Sequence, residues 1–205
     1  MTDTLDPPDE HLVSLTKNGS LDAFNSLVDR YQALVFTLCY RQLGERTAAE
    51  DAAQETFLSA YRAIAQFRGG SFRGWLLRIA LNHARDELRR RRRRLPTRSL
   101  ATDDANEPAI DPPDPTADPA TALHDRTLAP ALERALRELP QDQRDVVLLA
   151  DVHGLQYDEI AAITGVALGT VKSRLSRGRE RLRAILLARG ERFAHPQRPN
   201  VRGQP

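Results

Sequence analysis

The stretch YDEIAAITGVALGTVKSRLSRGRERLR, residues 157–183, has the most informative pattern in the chain. Ile160 and Ile163 form an apolar stripe with helical spacing, Gly165 supplies a turn, and Val171 resumes the stripe beyond it. The pattern predicts two helices that bury one another across a glycine turn. This is the helix-turn-helix arrangement, so DNA is the first ligand to consider.

The outward positions of the second predicted helix carry hydroxyl and cationic side chains. Residues 168–183 contain six Lys or Arg against the single acid Glu180, which is more one-sided than solubility requires. Such a mixture suits phosphate oxygens and base edges in a major groove. A plain surface helix with solvated charges is the competing interpretation. The outward residues are Lys172, Ser173, Ser176, Arg177 and Arg179.

Composition bounds the class of protein. The 205 residues suffice for two small domains, and the net charge of +2 hides a strong separation of acidic and basic segments. The single cysteine, Cys39, excludes an internal disulfide and is interpreted as a small buried hydrophobe rather than a reactive thiol. No His or Cys cluster has metal-ligand spacing, and no apolar run approaches the ~18 residues of a membrane span. We therefore expect a cytoplasmic protein without metal or cofactor.

The chain divides by composition into two helical blocks. Residues 96–121, which begin PTRSLATDDANEPAIDPPDP, are rich in Pro, Asp, Ala and Thr and nearly free of large apolar side chains, so they predict an acidic flexible linker. Helical periodicity marks blocks 20–95 and 122–190, with tails at 1–19 and 191–205. The expected fold is all-α, with two small helical domains.

The N-terminal block predicts two amphipathic helices. Ser20 is the expected N-cap of the first, and Thr47 with Glu50 forms a candidate capping box for the second. The outer face of the second helix is acidic and polar around Asp51 and Glu55. Spacing alone favours a solvated face over one that docks on a basic partner.

The segment FRGGSFRGWLLRIALNHARDELRRRRRR, residues 67–94, alternates aromatic and cationic side chains around Gly69 and Gly70. Aromatic faces beside guanidinium groups are typical of sites for unstacked bases. A structural alternative places Trp75 at the core edge of a third helix. The six arginines at 89–94 make sense mainly if phosphates neutralise them, although a solvated helix end is the simpler interpretation.

In this order the motifs resemble the extracytoplasmic-function sigma factors of bacterial RNA polymerase. DAAQETFLSAYRAI, residues 51–64, is similar to the polymerase-binding helix of sigma domain two, and the segment from residue 67 is similar to its minus-10 element. ALRELPQDQRDVVLLADVHGLQYDEIAAITGVALGTVKSRLSRGRERLR, residues 135–183, is similar to sigma domain four, which binds the minus-35 element.

The resemblance implies partners and a role for each site residue. It implies a sigma factor that binds core polymerase, directs it to promoters, assists melting without catalysing a reaction, and is held by an anti-sigma protein. The implied core-polymerase contacts are Asp51, Gln54, Glu55 and Leu58. The implied minus-10 contacts are Phe67, Arg68, Phe72, Arg73, Trp75, Asn82, Arg85 and Arg89. The implied minus-35 contacts are Thr170, Lys172, Ser173, Arg174, Ser176, Arg177 and Arg179.

Two other classes of protein compete with this interpretation. A stand-alone helix-turn-helix regulator explains the C-terminal block but leaves the aromatic segment without a role. An enzyme acting on nucleic acid needs a carboxylate pair, a metal cluster or an activated nucleophile, and His83, Asp86 and Glu87 are more simply neighbours on a charged helix. The sequence also departs from the family at Gln156, which stands where a Ser or Thr N-cap is frequent.

Overall fold

The computed structural model describes residues 7–94 and 130–189, and all regular secondary structure in these two ranges is helical. The predicted linker 96–121 and C-terminal tail 191–205 lie outside the described residues. No helix within the described ranges is long and apolar enough to cross a membrane. The helices are α1 (Asp9–Lys17), α2 (Leu21–Leu43), α3 (Arg46–Ala63) with a 3₁₀ turn at Ile64–Gln66, α4 (Phe72–Arg94), α5 (130–138), α6 (Gln141–Val147) with a π-helical turn at Leu148–Val152, α7 (Tyr157–Thr164) and α8 (Leu168–Ala188).

The N-terminal domain is a bundle in which α2, α3 and α4 pack against one another. Its largest fully buried side chains include Leu27, Leu38 and Leu77, which lie on the inner faces of α2 and α4. The Ser20 hydroxyl accepts the N–H of Ala23 at 3.2 Å, which confirms the expected N-cap of α2. The all-α prediction is confirmed for the described residues.

The prediction of a tail over residues 1–19 is wrong for residues 9–17, which form α1. Leu12 and Val13 are buried where α1 packs on α2. The Asp9 carboxylate also accepts hydrogen bonds from Arg30 and Tyr31 of α2. The sequence did not predict this helix because its first residues are acidic and only one face carries apolar residues. That face extends over little more than two turns.

The candidate capping box of α3 is also wrong. The helix begins at Arg46 with Glu45 at the N-cap position, so Thr47 lies inside the first turn. Glu50 pairs with the Arg46 guanidinium at 2.9 Å instead of capping the backbone. A start only two residues earlier than expected changes which side chains reach the free N–H groups of the first turn.

The C-terminal domain contains α5 to α8, with α6 packed closely on α8. A Cβ atom added at Gly178 of α8 would lie 2.8 Å from Val147 Cγ2, so the lack of a side chain permits this approach. Gly165 turns the chain between α7 and α8 with a φ of 72°. At the start of α7 the Glu159 carboxylate accepts the N–H of Gln156 at 2.8 Å, so the chain end is capped without a Ser or Thr.

The two domains are in contact, which the sequence did not predict. Helix α7 packs on α4, and buried residues of both domains form one continuous cluster. At a second contact, a Cβ atom added at Gly44, which ends α2 with a φ of 73°, would lie 2.6 Å from the Arg137 side chain of α5. The helix-turn-helix domain therefore covers part of the N-terminal domain.

Candidate nucleic-acid and protein interfaces

Helix α8 presents one exposed polar face. Lys172, Ser173, Ser176 and Arg177 are exposed, while Val171, Leu175 and Gly178 are buried on the opposite side. No acid within the described ranges pairs with Lys172 or Arg177. The half-buried Thr170 begins the same face, and its carbonyl accepts the Ser173 hydroxyl at 3.0 Å. This exposed face of a helix-turn-helix has the donors that a DNA groove requires.

Two of the predicted DNA-binding cations of α8 already have partners inside their own domain. Arg174 Nε lies 3.1 Å from Asp142 Oδ2 of α6. Arg179 donates to both carboxylate oxygens of Asp151, with its Nε 2.9 Å from Oδ2, and these hydrogen bonds raise the pKa of the guanidinium. Each arginine must share its donors or exchange partners to bind a phosphate.

Helix α4 carries a second cationic stripe. Arg78, Asn82, Arg85 and Arg89 follow one another at three- and four-residue spacing and therefore lie on one face. Asn82 and Arg89 are exposed, although Arg89 also pairs with Asp86 at 3.1 Å. Arg85 is different, because its guanidinium donates to Asp145 of the C-terminal domain from Nε at 2.9 Å and from a terminal nitrogen at 2.5 Å.

The aromatic side chains before and within α4 pack on each other. The ring centroid of Phe67 lies 5.2 Å from Trp75 and 5.9 Å from Phe72, and Phe72 is only 2 % exposed. Lys17 of α1 donates to the Phe67 carbonyl at 2.5 Å, which fixes the start of the loop. In this arrangement Phe67 and Phe72 belong to the core, contrary to the expectation that they offer free faces to bases. Trp75 is half-buried, and the loop residue Arg68 is exposed.

A cavity of about 480 Å³ lies between this loop and α7. The N-terminal domain contributes Arg68, Trp75 and Arg78, and the C-terminal domain contributes Asp158 and Glu159. The cavity therefore has one basic wall and one acidic wall, each from a different domain. Arg73 of α4 donates to the backbone carbonyl of His153, also across the domain junction.

Helix α3 has an exposed, mostly acidic stripe. Asp51, Gln54, Glu55 and Leu58 are all exposed and lie one turn apart along the helix. Leu58 is 40 % exposed, which leaves an apolar side chain in the middle of an acidic surface. An exposed acidic stripe of this kind is accessible both to solvent and to a basic partner.

The arginine run at the end of α4 is partly neutralised inside the protein. Arg91 lies 3.0 Å from Glu87 and 2.7 Å from Glu45, and Arg90 lies 3.4 Å from Glu87. Arg90 and Arg91 therefore do not need phosphates for neutralisation, which weakens the interpretation that the run makes sense mainly with phosphates bound. Arg92 and Arg93 are exposed, and Arg94 ends the helix.

Cys39 and His153 are buried titratable groups. Burial raises the pKa of the Cys39 thiol to about 12, which agrees with its interpretation as a buried hydrophobe. His153 follows the π-helical turn, and its Nε2 has no partner among the described residues. Burial, with smaller contributions from Arg41 and Arg73, lowers the pKa of the imidazole to about 4.

No group of three or more His, Cys, Asp or Glu in the described ranges is placed to hold a metal ion.

We expect His153 to make stability fall on acidification. The pKa of His153 is about 4 in the folded chain and about 6.5 in the unfolded chain. Because the unfolded chain binds the proton more readily, the free energy of unfolding is highest above pH 6.5 and falls as the pH is lowered towards 4. Between pH 7 and 4.5 the wild type should lose about 2–3 kcal/mol more unfolding free energy than His153→Gln. Urea unfolding at a series of pH values measures this difference. Parallel curves for the two proteins would show that the imidazole is not held neutral.

Several residues at the domain junction were missed by sequence reasoning. Gln42 interrupts the apolar stripe of α2, and Asp145 immediately precedes the apolar run VVLL. Their only signal was a polar side chain at a position where the helical period predicts burial. Arg144 was missed in the same way, although it is buried and bonds to four backbone carbonyls.

The fold and the exposed faces define a class of protein: a two-domain helical chain with a DNA-binding helix-turn-helix domain. The Sigma-70 region 2 family profile matches residues 27–94, and the Sigma-70, region 4 profile matches residues 130–182. The two matches lie within the two described domains, one in each, and α1 and the start of α2 lie outside them.

Relatives narrow the class to one family. The chain is 40 % identical over 168 residues to the ECF RNA polymerase sigma factor SigE of Mycolicibacterium smegmatis, which covers 82 % of this chain and 63 % of the relative. It is 35 % identical to the RNA polymerase sigma-H factor of Pseudomonas aeruginosa, with 84 % of this chain and 90 % of the relative covered. It is 37 % identical to the ECF RNA polymerase sigma-E factor of Haemophilus influenzae, with 92 % of the relative covered. The chain belongs to the extracytoplasmic-function (ECF) RNA polymerase sigma factors.

Solved structures agree with the fold. CnrH in complex with the cytosolic domain of CnrY has a TM-score of 0.63 and 28 % identity, and covers 88 % of this chain and 97 % of CnrH. The sigma factor RpoE in complex with the anti-sigma factor NepR from Bartonella quintana has a TM-score of 0.63 and 26 % identity, with 82 % of this chain and 98 % of RpoE covered. The stand-alone regulator interpretation is not favoured.

Proposed function

We propose that this chain binds bacterial core RNA polymerase, directs it to specific promoters through minus-10 and minus-35 recognition, and assists strand opening. The observation that carries the proposal is the exposed α8 face around Lys172 and Arg177, set on a buried helix-turn-helix core within a chain of the ECF family. The chemistry of nucleotide addition belongs to the polymerase, so the chain itself acts without catalysis or cofactor, in the cytoplasm.

Each exposed face receives one partner in this proposal. The α3 stripe, Asp51 to Leu58, docks on the polymerase. The α4 face with Asn82, Arg85 and Arg89 binds minus-10 DNA, and the Arg68–Trp75 edge of the cavity receives an unstacked base, whose binding offsets the cost of melting. The α8 face binds the minus-35 groove, with Arg174 and Arg179 near phosphates. The solved complexes of CnrH and RpoE support an anti-sigma protein as a further partner.

Transcription with purified components tests the proposal. The chain is mixed with sigma-free bacterial core polymerase and a library of genomic promoter fragments, transcript starts are sequenced, and strand opening is followed by permanganate reactivity. We expect defined starts with reactive minus-10 bases that require the chain. Binding to DNA without polymerase association or opening would overturn the proposal and favour the stand-alone regulator.

Promoter choice tests the α8 face separately. Lys172→Ala should change which promoters are used, with the loss at the most affected promoter about 10-fold or more, because a contact to a base edge is worth about 1–3 kcal/mol. Arg181→Ala is a matched control, since Arg181 is also an exposed cation of α8. Transcript counts over the promoter library measure the effect. An equal loss on every promoter would mean that Lys172 touches only the DNA backbone.

A further inference from the structure

Helix α1 contacts the first residue of the loop between α3 and α4. The Lys17 ammonium, in the last turn of α1, donates to the Phe67 carbonyl at 2.5 Å and lies 5.7 Å from the centroid of the Phe67 ring. Helix α1 also packs on the 3₁₀ turn Ile64–Gln66, which Phe67 follows. One side chain of α1 therefore binds both the backbone and the ring of the residue that begins the loop. We call residues 67–71 the α3–α4 loop.

Hydrogen bonds hold the start of α1 on α2. The Asp9 carboxylate accepts hydrogen bonds from Arg30 and Tyr31, and the Pro7 carbonyl accepts a guanidinium nitrogen of Arg30 at 2.7 Å. Burial and the Asp9 carboxylate raise the pKa of the Tyr31 hydroxyl, so it stays a donor at neutral pH. Helix α1 is therefore a fixed support from which Lys17 reaches the α3–α4 loop.

The middle of the α3–α4 loop is open, and only its far end is tied to α4. Gly69 and Gly70 have φ angles of 95° and 84°, and a Cβ atom added at either glycine would meet no atom of a non-neighbouring residue within 4 Å. At the far end the Ser71 hydroxyl accepts the N–H of Gly74 at 3.0 Å, in the first turn of α4. The path of the near half of the loop therefore depends on how the chain leaves Phe67.

Lys17 acts through Phe67 on the two side chains proposed to receive the unstacked base. The Phe67 carbonyl lies in the same planar peptide group as the N–H of Arg68, so a bond to this oxygen orients the start of Arg68. The Phe67 ring centroid lies 5.2 Å from that of Trp75, so a fixed Phe67 ring also supports Trp75. Arg68 and Trp75 line the same cavity. A base binds more tightly when both groups are already in place, because less conformational freedom is lost on binding.

We propose that Lys17 is a positioning residue for promoter opening: from α1 it fixes Phe67 and thereby holds Arg68 and Trp75 ready for the unstacked minus-10 base. Lys17 itself touches neither the base nor the DNA backbone. Helix α1 lies outside residues 27–94, which the Sigma-70 region 2 profile matches, so the N-terminal segment adds this support to the matched domain. The inference rests on the proposed function, because it names the residue that prepares the base site.

The test compares holoenzymes assembled from full-length variants and excess core polymerase. Lys17→Met removes the ammonium but keeps a side chain of similar length, and Lys17→Arg keeps a cationic donor. His11→Met is the matched control, because it places the same new side chain at another exposed position of α1. The template is a promoter found in the transcription assay, with an abasic site at each minus-10 position of the non-template strand in turn. The lifetime of the open complex after addition of heparin is measured on each template.

Intact and abasic templates separate positioning of the base site from other roles. The abasic site that shortens the wild-type lifetime most identifies the captured base. On the intact promoter, Lys17→Met should shorten the lifetime about 5-fold, because a charged hydrogen bond that orders the base site is lost. On the template without the captured base, this variant should match the wild type within about 2-fold, because the site has no base to hold. Lys17→Arg and His11→Met should match the wild type on both templates.

Equal shortening by Lys17→Met on the intact and abasic templates would overturn the inference, because Lys17 would then act on DNA phosphates or on stability. So would a wild-type lifetime for Lys17→Met on the intact promoter, an equal loss in Lys17→Arg or His11→Met, or a wild type with no sensitive position. Circular dichroism checks folding, and Lys17→Gln provides the same comparison if Lys17→Met does not fold. Failure of the proposed function is distinguishable, because no holoenzyme, including the wild type, would then give defined transcript starts.

Discussion

Replacing Arg144 by Met is expected to lower the free energy of unfolding of the C-terminal domain by about 3–5 kcal/mol. The guanidinium is buried and donates from Nε to the Leu136 carbonyl at 2.8 Å. It also bonds to the carbonyls of Arg137 and Leu139 at the end of α5, and to that of Gln42 at 3.0 Å. A methionine fills similar space but removes the guanidinium donor from the carbonyls of Arg137, Leu139 and Gln42. The Leu136 carbonyl keeps the N–H of Leu139 at 3.1 Å.

Urea unfolding of the full chain, followed by circular dichroism, measures this loss. Arg183→Met is the control, because Arg183 is exposed on α8 and its removal should change stability by less than about 0.5 kcal/mol. We also expect Arg144→Met to lose minus-35 duplex binding, since α8 is positioned by packing on α6. A loss of less than about 1 kcal/mol would mean that water or rearrangement satisfies the carbonyls.

The double charge reversal Asp51→Lys with Glu55→Lys is expected to weaken binding to core polymerase at least about 100-fold. Both carboxylates are exposed on the α3 stripe, so the substitutions remove the proposed attraction to a basic partner and add repulsion worth several kcal/mol. Because neither side chain is buried, the fold should persist. Co-migration with core polymerase in gel filtration, followed by titration of fluorescent chain, measures the affinity.

The control for charge is Asp22→Lys with Asp29→Lys, which makes the same change on exposed positions of α2. The control for function is affinity for minus-35 duplex DNA, which should not fall in either double variant. Equal polymerase affinity for the α3 and α2 variants would remove the α3 stripe as the docking surface. It would leave the family assignment intact, because that assignment rests on the relatives and not on this surface.

The helices of this chain were predictable because each one has a strong local signal. The Ser20 cap, the apolar spacing of α2 and the glycine turn at Gly165 all depend on residues within a few positions of one another. Where the signal was short or ambiguous, the predictions were wrong, as for α1 and for the start of α3. A helix of nine residues with one apolar face resembles a polar tail.

The exposed site residues were also predictable from local spacing, whereas the burial of the aromatic site residues was not. The exposed faces around Lys172 and around Asp51 follow from helical spacing, because outward positions are those that the apolar stripe leaves free. The aromatic residues Phe67 and Phe72 were assigned to base binding by their neighbours in sequence. Their burial became visible only with the packing of α1, α2 and α4 around them.

Local patterns in the amino-acid sequence were therefore enough to predict the helical class, the two-domain organisation, the exposed face of α8 and the resemblance to the ECF sigma factors. The packing of distant helices was needed to show that Arg85 binds Asp145, that Gln42 is buried and that the two domains are in contact. The physical reason is that periodicity reports which side of a helix is buried but not which helix covers it. A polar residue within an apolar stripe can signal burial, but no local pattern shows which distant helix supplies its partner.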